Sequence, residues 1–178
     1  MKIYDCFTYF DEDLILDTRL NILNDYVDYF VIVESTFNHN GESRQLKFDI
    51  NKFEKFKKKI KYVVWDKIPE DIEKINENDE EIIRERKFIN NAVRRDNGQR
   101  NYVMKGLENA DKNDLILLSD LDEIPLLNNI DLKKIKHKII IFEQLMCYYK
   151  FNLAIPNYKW FGTRACLKKN LKSPQWLR

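Results

Sequence analysis

An apolar run, Leu115-Ile116-Leu117-Leu118, is followed at once by Ser119-Asp120-Leu121-Asp122-Glu123-Ile124-Pro125. Asp120 and Asp122 stand two apart, so extended backbone running through them points both carboxylates to one side and Leu121 to the other. Two convergent carboxylates repel each other, and a divalent cation relieves the repulsion. Hard ions such as Mn²⁺ and Mg²⁺ take oxygen ligands and share their coordination with a substrate's phosphates. Such a site suits a diphosphate leaving group, whose growing negative charge a Lewis acid offsets. The plainer alternative is that three acids after a strand open a solvated helix, where the helix dipole favours them. The Asp-x-Asp pattern alone does not choose between the two.

A second polar group, Arg95, Gln99 and Arg100, precedes this strand by one helix. A planar guanidinium at the sheet edge clamps a diphosphate bidentately, and Arg100 is the residue placed to do so; an ion pair with Asp96 or Glu123 accounts for it equally well. Ile124 stands where the phosphatase-like Asp-x-Asp-x-Thr pattern carries threonine, and there is no Gly-rich phosphate loop. Both features weigh against a phosphoryl or nucleotidyl transferase using the same carboxylates.

The elements that must position these groups alternate between strand-length apolar runs and helix-length amphipathic stretches, the pattern of an α/β layer fold with a mostly parallel sheet and helices on both faces. Ile3 to Tyr9 is the first strand. Asp11-Glu12-Asp13 opens a helix whose buried stripe is Leu16, Leu20, Leu23 and Val27. Tyr29 to Val33 is nearly all apolar, as a central parallel strand should be, and ends at Glu34-Ser35. A polar loop, Ser35 to Gln45, and a charged segment, Asn51 to Lys59, lead to a third strand, Ile60 to Trp65; Lys57-Lys58-Lys59 reads as a solvated helix face. Asp66 to Asp79 is a long surface loop, either a flap or a passive insertion. Helical sequence runs from Glu80 to about Ala110, with a break expected at Asp96-Asn97-Gly98 because Asn-Gly punctuates helices. Lys138 to Phe142, Gln144 to Phe151, and Tyr158 to Arg164 are expected to form two or three strands that extend the sheet.

With 178 residues, 44% of them hydrophobic, the chain can bury one substantial core, so a single domain over 1–178 is expected. Lys and Arg total 31 against 29 Asp and Glu, and a net charge of +2 supplies no general field for nucleic acid or an anionic membrane. No run approaches the roughly 20 apolar residues of a membrane span, and no signal peptide is visible, so a cytoplasmic location is expected. Cys6, Cys147 and Cys166 are widely spaced and read as reduced core thiols.

Several stretches together, Ile3 to Glu12, Leu20-Asn21-Ile22-Leu23, Tyr29 to Ser35, and Leu118 to Pro125, resemble family 17 glycosyltransferases, in order and over nearly the whole chain. The resemblance implies a GT-A-type, Rossmann-like nucleotide-sugar-binding fold and inversion at the anomeric carbon. It implies a Mn²⁺ or Mg²⁺ requirement, a UDP-sugar donor (best known as UDP-N-acetylglucosamine) and a saccharide acceptor. Asp120 and Asp122 match the family's metal and nucleotide-sugar motif, with Asp122 the direct ligand and Asp120 working through ribose or water. Glu34 matches a Val-x-Glu-Ser stretch and is expected either to accept hydrogen bonds from the nucleoside or to order the next loop. His39, on that loop, is expected either to reach the nucleotide or to be a plain exposed histidine, and Arg44 and Lys47, where the family also carries basic residues, either to bind phosphate or to be ordinary surface cations.

Inversion needs a general base to deprotonate the acceptor; Glu143, after the strand Lys138 to Phe142, is the candidate carboxylate downstream of the acidic motif, with a structural role at a strand end as its alternative. Trp160 and Phe161 offer a sugar-stacking surface or a plain aromatic core. Lacking a membrane anchor, the chain is expected to belong to a bacterial or viral glycan pathway. Members of the family usually continue past Ser173-Pro174-Gln175-Trp176-Leu177-Arg178, which implies either a compact member or a piece lacking an acceptor-side extension. A non-catalytic nucleotide-sugar-binding or assembly module is the competing expectation from another class.

Overall fold

The computed structural model describes residues 1–134, 136–150 and 152–178. Six strands form one sheet: β1 (Ile3–Tyr9), β2 (Tyr29–Ser35), β3 (Ile60–Trp65), β4 (Leu115–Leu118), β5 (Ile140–Cys147) and β6 (Ala154–Leu167), in the order β3-β2-β1-β4-β6-β5. The first four are mutually parallel, while β6 runs antiparallel to β4 and β5 antiparallel to β6. The sheet is therefore mostly parallel with an antiparallel extension. The expected segments Lys138 to Phe142 and Gln144 to Phe151 merge into the one strand β5, with Phe151 outside the described residues.

Alternation along β1 sends Ile3, Phe7 and Tyr9 to one face and Tyr4 and Cys6 to the other, which builds two cores. The first is closed by Leu16, Leu20 and Leu23 of α1 (Asp13–Leu23) and by Phe53 and Phe56 of a short 3₁₀ segment, Ile50–Phe56. On the other face, α2 (Glu81–Asn101) packs at Gly98 on Trp65 of β3, while α3 (Val103–Gly106) and α4 (Pro174–Leu177) contribute Val103 and Leu177. Helices thus cover both faces. Cys6 and Cys166 are buried, Cys147 is half-buried, and none of the three is in a disulfide. No described helix is long and apolar enough to cross a membrane.

Three local expectations are corrected. The break at Asp96-Asn97-Gly98 does not occur, because α2 continues through Asn101. Gly98 is there for close approach: a Cβ on it would lie 2.7 Å from Cζ2 of the buried Trp65. Helix propensity alone predicts that Gly98→Ala adds about 1 kcal/mol. Overpacking of about 1–3 kcal/mol outweighs it, so thermal denaturation should show the variant less stable than the parent. The lysine run is not purely solvated either, since Lys59 donates to the carbonyls of Asn24 and Val27 and ties the end of α1 to the start of β3. Finally, β4 stops at Leu118, so extended backbone does not carry Asp120 and Asp122.

The 66–80 segment is anchored rather than loose. Asn91 on α2 exchanges hydrogen bonds with the backbone of Glu73, Arg94 pairs with Asp71 and Glu73, and Lys87 pairs with Asp79.

Candidate active site

In open α/β sheets, ligands bind beyond the carboxyl ends of the strands where the strand order reverses, here between β1 and β4. A cleft of about 490 Å³ lies at this point, lined by Thr8, Tyr9 and Phe10 after β1, Asp120, Leu121 and Asp122 after β4, Asp96 and Gln99 of α2, His39, and Cys147, Tyr149 and Lys150 at the end of β5. Its size is in the range of small-molecule sites.

Residues 120–124 form a compact turn. The Glu123 amide donates to the Asp120 carbonyl at 3.1 Å and the Ile124 amide to the Asp122 carbonyl at 3.1 Å. Glu123 is buried and closes the turn further, its Oε2 accepting from the Asp120 amide at 2.8 Å. Leu121 inserts into the core, while Asp120 and Asp122 both line the cleft. The two carboxylates therefore reach one site through a turn rather than through strand alternation.

Their environments differ sharply. Asp120 Oδ1 takes a hydrogen bond from Arg100 Nη2 at 3.2 Å and Oδ2 one from Arg178 Nη2 at 2.9 Å. Burial alone would raise its carboxyl, but the hydrogen bond and charge of Arg178, then those of Arg100, hold it below the ordinary carboxylate range. Asp122 is exposed, and its carboxylate has no hydrogen-bond or ion-pair partner among the described residues. No cluster of three or more His, Cys, Asp or Glu among the described residues is arranged to hold a metal. This donor set suits an ion that retains waters and completes its shell with phosphate oxygens, as Mg²⁺ does, and not a metal enclosed by protein ligands.

Of the remaining expected residues, His39 lines the cleft and is exposed, its carbonyl held by Arg95 Nη1 at 2.9 Å. Arg100 does not clamp a ligand in this structure. It bonds Asp96 at 3.0 Å, Asp120, and Gln175 Oε1 at 2.5 Å, so the ion pair expected with Asp96 forms while Glu123 goes to Arg178.

Glu34 is fully buried and does not line the cleft. Its Oε1 accepts from the Lys47 amide (2.6 Å) and pairs with Arg44, and its Oε2 accepts from the Phe48 amide (3.1 Å) and Tyr62 hydroxyl (2.8 Å). Of its two expected roles, the geometry matches loop ordering. Arg44 is likewise engaged, donating to the carbonyls of Ser35 and Phe10 and stacking over the Phe10 ring at 4.0 Å, which removes it as a free phosphate ligand; Lys47 is exposed and away from the cleft lining.

Glu143 lies exposed on β5, pairs with Lys159 at 3.1 Å, and is not among the residues lining the cleft. Trp160 and Phe161 are also outside the lining; Trp160 donates to Glu123 Oε1 at 2.7 Å and so supports the turn, while Phe161 is exposed on the β5–β6 pair.

Two arginines went unrecognised in the sequence. Arg178 joins Asp120 to Glu123, and no local pattern announces it. Arg19 is completely buried beneath the turn. It did leave a signal: it lies on the same helical face as Leu16, Leu20 and Leu23, and an arginine in a buried stripe requires an acid partner, which β1 supplies in Asp5.

A cleft at the reversal of a mostly parallel sheet, edged by two dissimilar carboxylates, gives this α/β protein a candidate ligand site at its strand ends. Residues 1–174 match Glycosyltransferase family 17, and the chain belongs to that family. Its role is accordingly glycosyl transfer, between a sugar donor and an acceptor. No curated protein matches the chain.

Proposed function

We propose that the chain is a metal-dependent, inverting glycosyltransferase of GT-A type that takes N-acetylglucosamine from UDP-N-acetylglucosamine to a saccharide hydroxyl. The observation that carries this reading is the pairing, in one cleft at the reversal of strand order, of an uncommitted carboxylate, Asp122, with an arginine-held one, Asp120. Asp122 would hold Mn²⁺ or Mg²⁺, with Asp120 beside it through water or the ribose. The ion, when bound, supplies Lewis-acid stabilisation of the diphosphate leaving group.

Other residues have roles that follow from their place. Among the described residues Lys150 is the one lysine or arginine on the cleft lining, and its ammonium would offset the charge of an anionic ligand. Thr8, Tyr9 and Phe10 form the floor at the end of β1, where a nucleoside would lie. Glu12, Asp96 and His39 are the lining groups besides the acidic turn that are suited to accept the acceptor's proton.

Titration calorimetry with UDP, with and without Mn²⁺, tests this reading, together with UDP release from UDP-N-acetylglucosamine in the presence of oligosaccharides. UDP should bind with Mn²⁺ and at least about tenfold more weakly in chelator, a difference of about 1.4 kcal/mol. At about 100 times its Kd the ligand should stabilise the fold by about 2.7 kcal/mol. Equal affinity with and without metal would remove metal dependence from the function; no UDP binding at all would remove the donor.

A further inference from the structure

We infer that Arg19 is the positioning residue of the acidic turn: from beneath the cleft it fixes the backbone that presents Asp120 and Asp122. Its contact with metal-dependent UDP binding rests on the function proposed above; its hold on the turn does not.

The geometry is that of a cradle. Asp5, buried in the middle of β1, grips the guanidinium from one side, accepting from Nε at 2.8 Å and from Nη2 at 2.7 Å. This bidentate pair neutralises the buried charge and sets the plane of the fork. The remaining donors point at the turn. Nη1 is shared among the carbonyls of Asp120 (3.1 Å), Leu121 (3.0 Å) and Glu123 (3.1 Å), and Nη2 also donates to Ser119 Oγ at 2.5 Å. The Phe7 ring lies against the guanidinium at 4.7 Å.

Three carbonyls from four consecutive residues thus converge on one nitrogen, about a hundred positions away in the chain. With those oxygens drawn inward and Leu121 inserted in the core, the turn has little freedom to swing the Asp120 and Asp122 side chains away from the cleft. Side chains that hold metal-site groups in place typically matter about 10–100-fold for affinity even without touching the ion. Lysine in this position keeps the charge for Asp5 but offers a single nitrogen, which cannot serve both the carboxylate and the three carbonyls.

The test compares the parent chain with Arg19→Lys by circular dichroism, native-state hydrogen exchange, and calorimetry with UDP in Mn²⁺ and in chelator. The variant should stay folded, and its Glu123 and Ile124 amides should exchange at least about tenfold faster than in the parent, because the turn they close has lost the anchor beneath it. Its affinity for UDP with Mn²⁺ should fall about 10–100-fold while metal-free UDP affinity is unchanged, a split that a merely structural role would not produce.

Unchanged exchange at those two amides, or unchanged Mn²⁺-dependent affinity in a folded variant of a parent that binds, overturns the inference. If the parent itself shows no Mn²⁺-dependent UDP binding yet the amides exchange faster in the variant, the proposed function falls and the cradle stands. Should Arg19→Lys fail to fold, Ser119→Ala decides: removing one acceptor of the cradle should accelerate the same amides, and parental rates would refute the role.

Discussion

Asp122→Ala should abolish the Mn²⁺-dependent part of UDP binding, lowering affinity at least about 100-fold, or about 2.7 kcal/mol, while the melting temperature stays at the parent's value. The two halves of that result have separate causes. Asp122 is exposed, and its carboxylate has no hydrogen-bond or ion-pair partner among the described residues, so its loss removes no buried side chain and no internal hydrogen bond of that carboxylate. Asp120 would not behave so cleanly: replacing it leaves Arg100 and Arg178, both mostly buried, without the carboxylate that joins them. Calorimetry on parent and variant, with thermal denaturation alongside, measures both halves. A folded Asp122→Ala protein with parental Mn²⁺-dependent affinity would refute the metal assignment.

Glu34→Ala should act in the opposite way, costing about 3–5 kcal/mol of stability and leaving the acidic turn in place. The carboxylate is fully buried and, among the described residues, is the only acceptor for the amides of Lys47 and Phe48 and for the Tyr62 hydroxyl. It also neutralises Arg44, whose side chain is only 8% exposed. Its removal strands a buried cation and three donors at once, and unpaired buried groups of this kind carry most of the cost of breaking an ion pair. Burial and the hydrogen bond to Glu34 raise the Tyr62 hydroxyl above its ordinary pKa, so its ultraviolet titration should move back down in the variant. A urea-midpoint shift equivalent to less than about 1 kcal/mol would show that the loop does not depend on Glu34.

The two predictions separate what holds the ligand from what holds the protein. Arg44 links them, since it carries the Glu34 network to the carbonyl and ring of Phe10 on the cleft floor. A secondary, smaller loss of ligand affinity in Glu34→Ala is therefore expected even though the residue lies outside the cleft.

Strand and helix positions were readable from the chain because they depend on local periodicity. Four apolar runs became the parallel strands β1 to β4, and the Leu16, Leu20 and Leu23 stripe became the buried face of α1. The acidic cluster was readable for the same reason, being contiguous in sequence and placed after a wholly buried strand, although the turn that carries it was not. Gly98 misled because a glycine serves equally to end a helix or to let one approach an indole, and only the neighbour Trp65 decides which.

By itself, then, the sequence determined the layered α/β pattern, its glycosyltransferase kinship and the local placement of Asp120 and Asp122 at a strand's end. The tertiary structure alone decided which charges are engaged: Arg19 with Asp5 and the turn, Arg44 with Glu34, Arg100 and Arg178 with Asp120, and Glu143 with Lys159 outside the cleft. The physical reason is that apolar periodicity is written locally along the chain, whereas an ion pair is chosen by strand order and register, which here bring together groups as many as 58 positions apart.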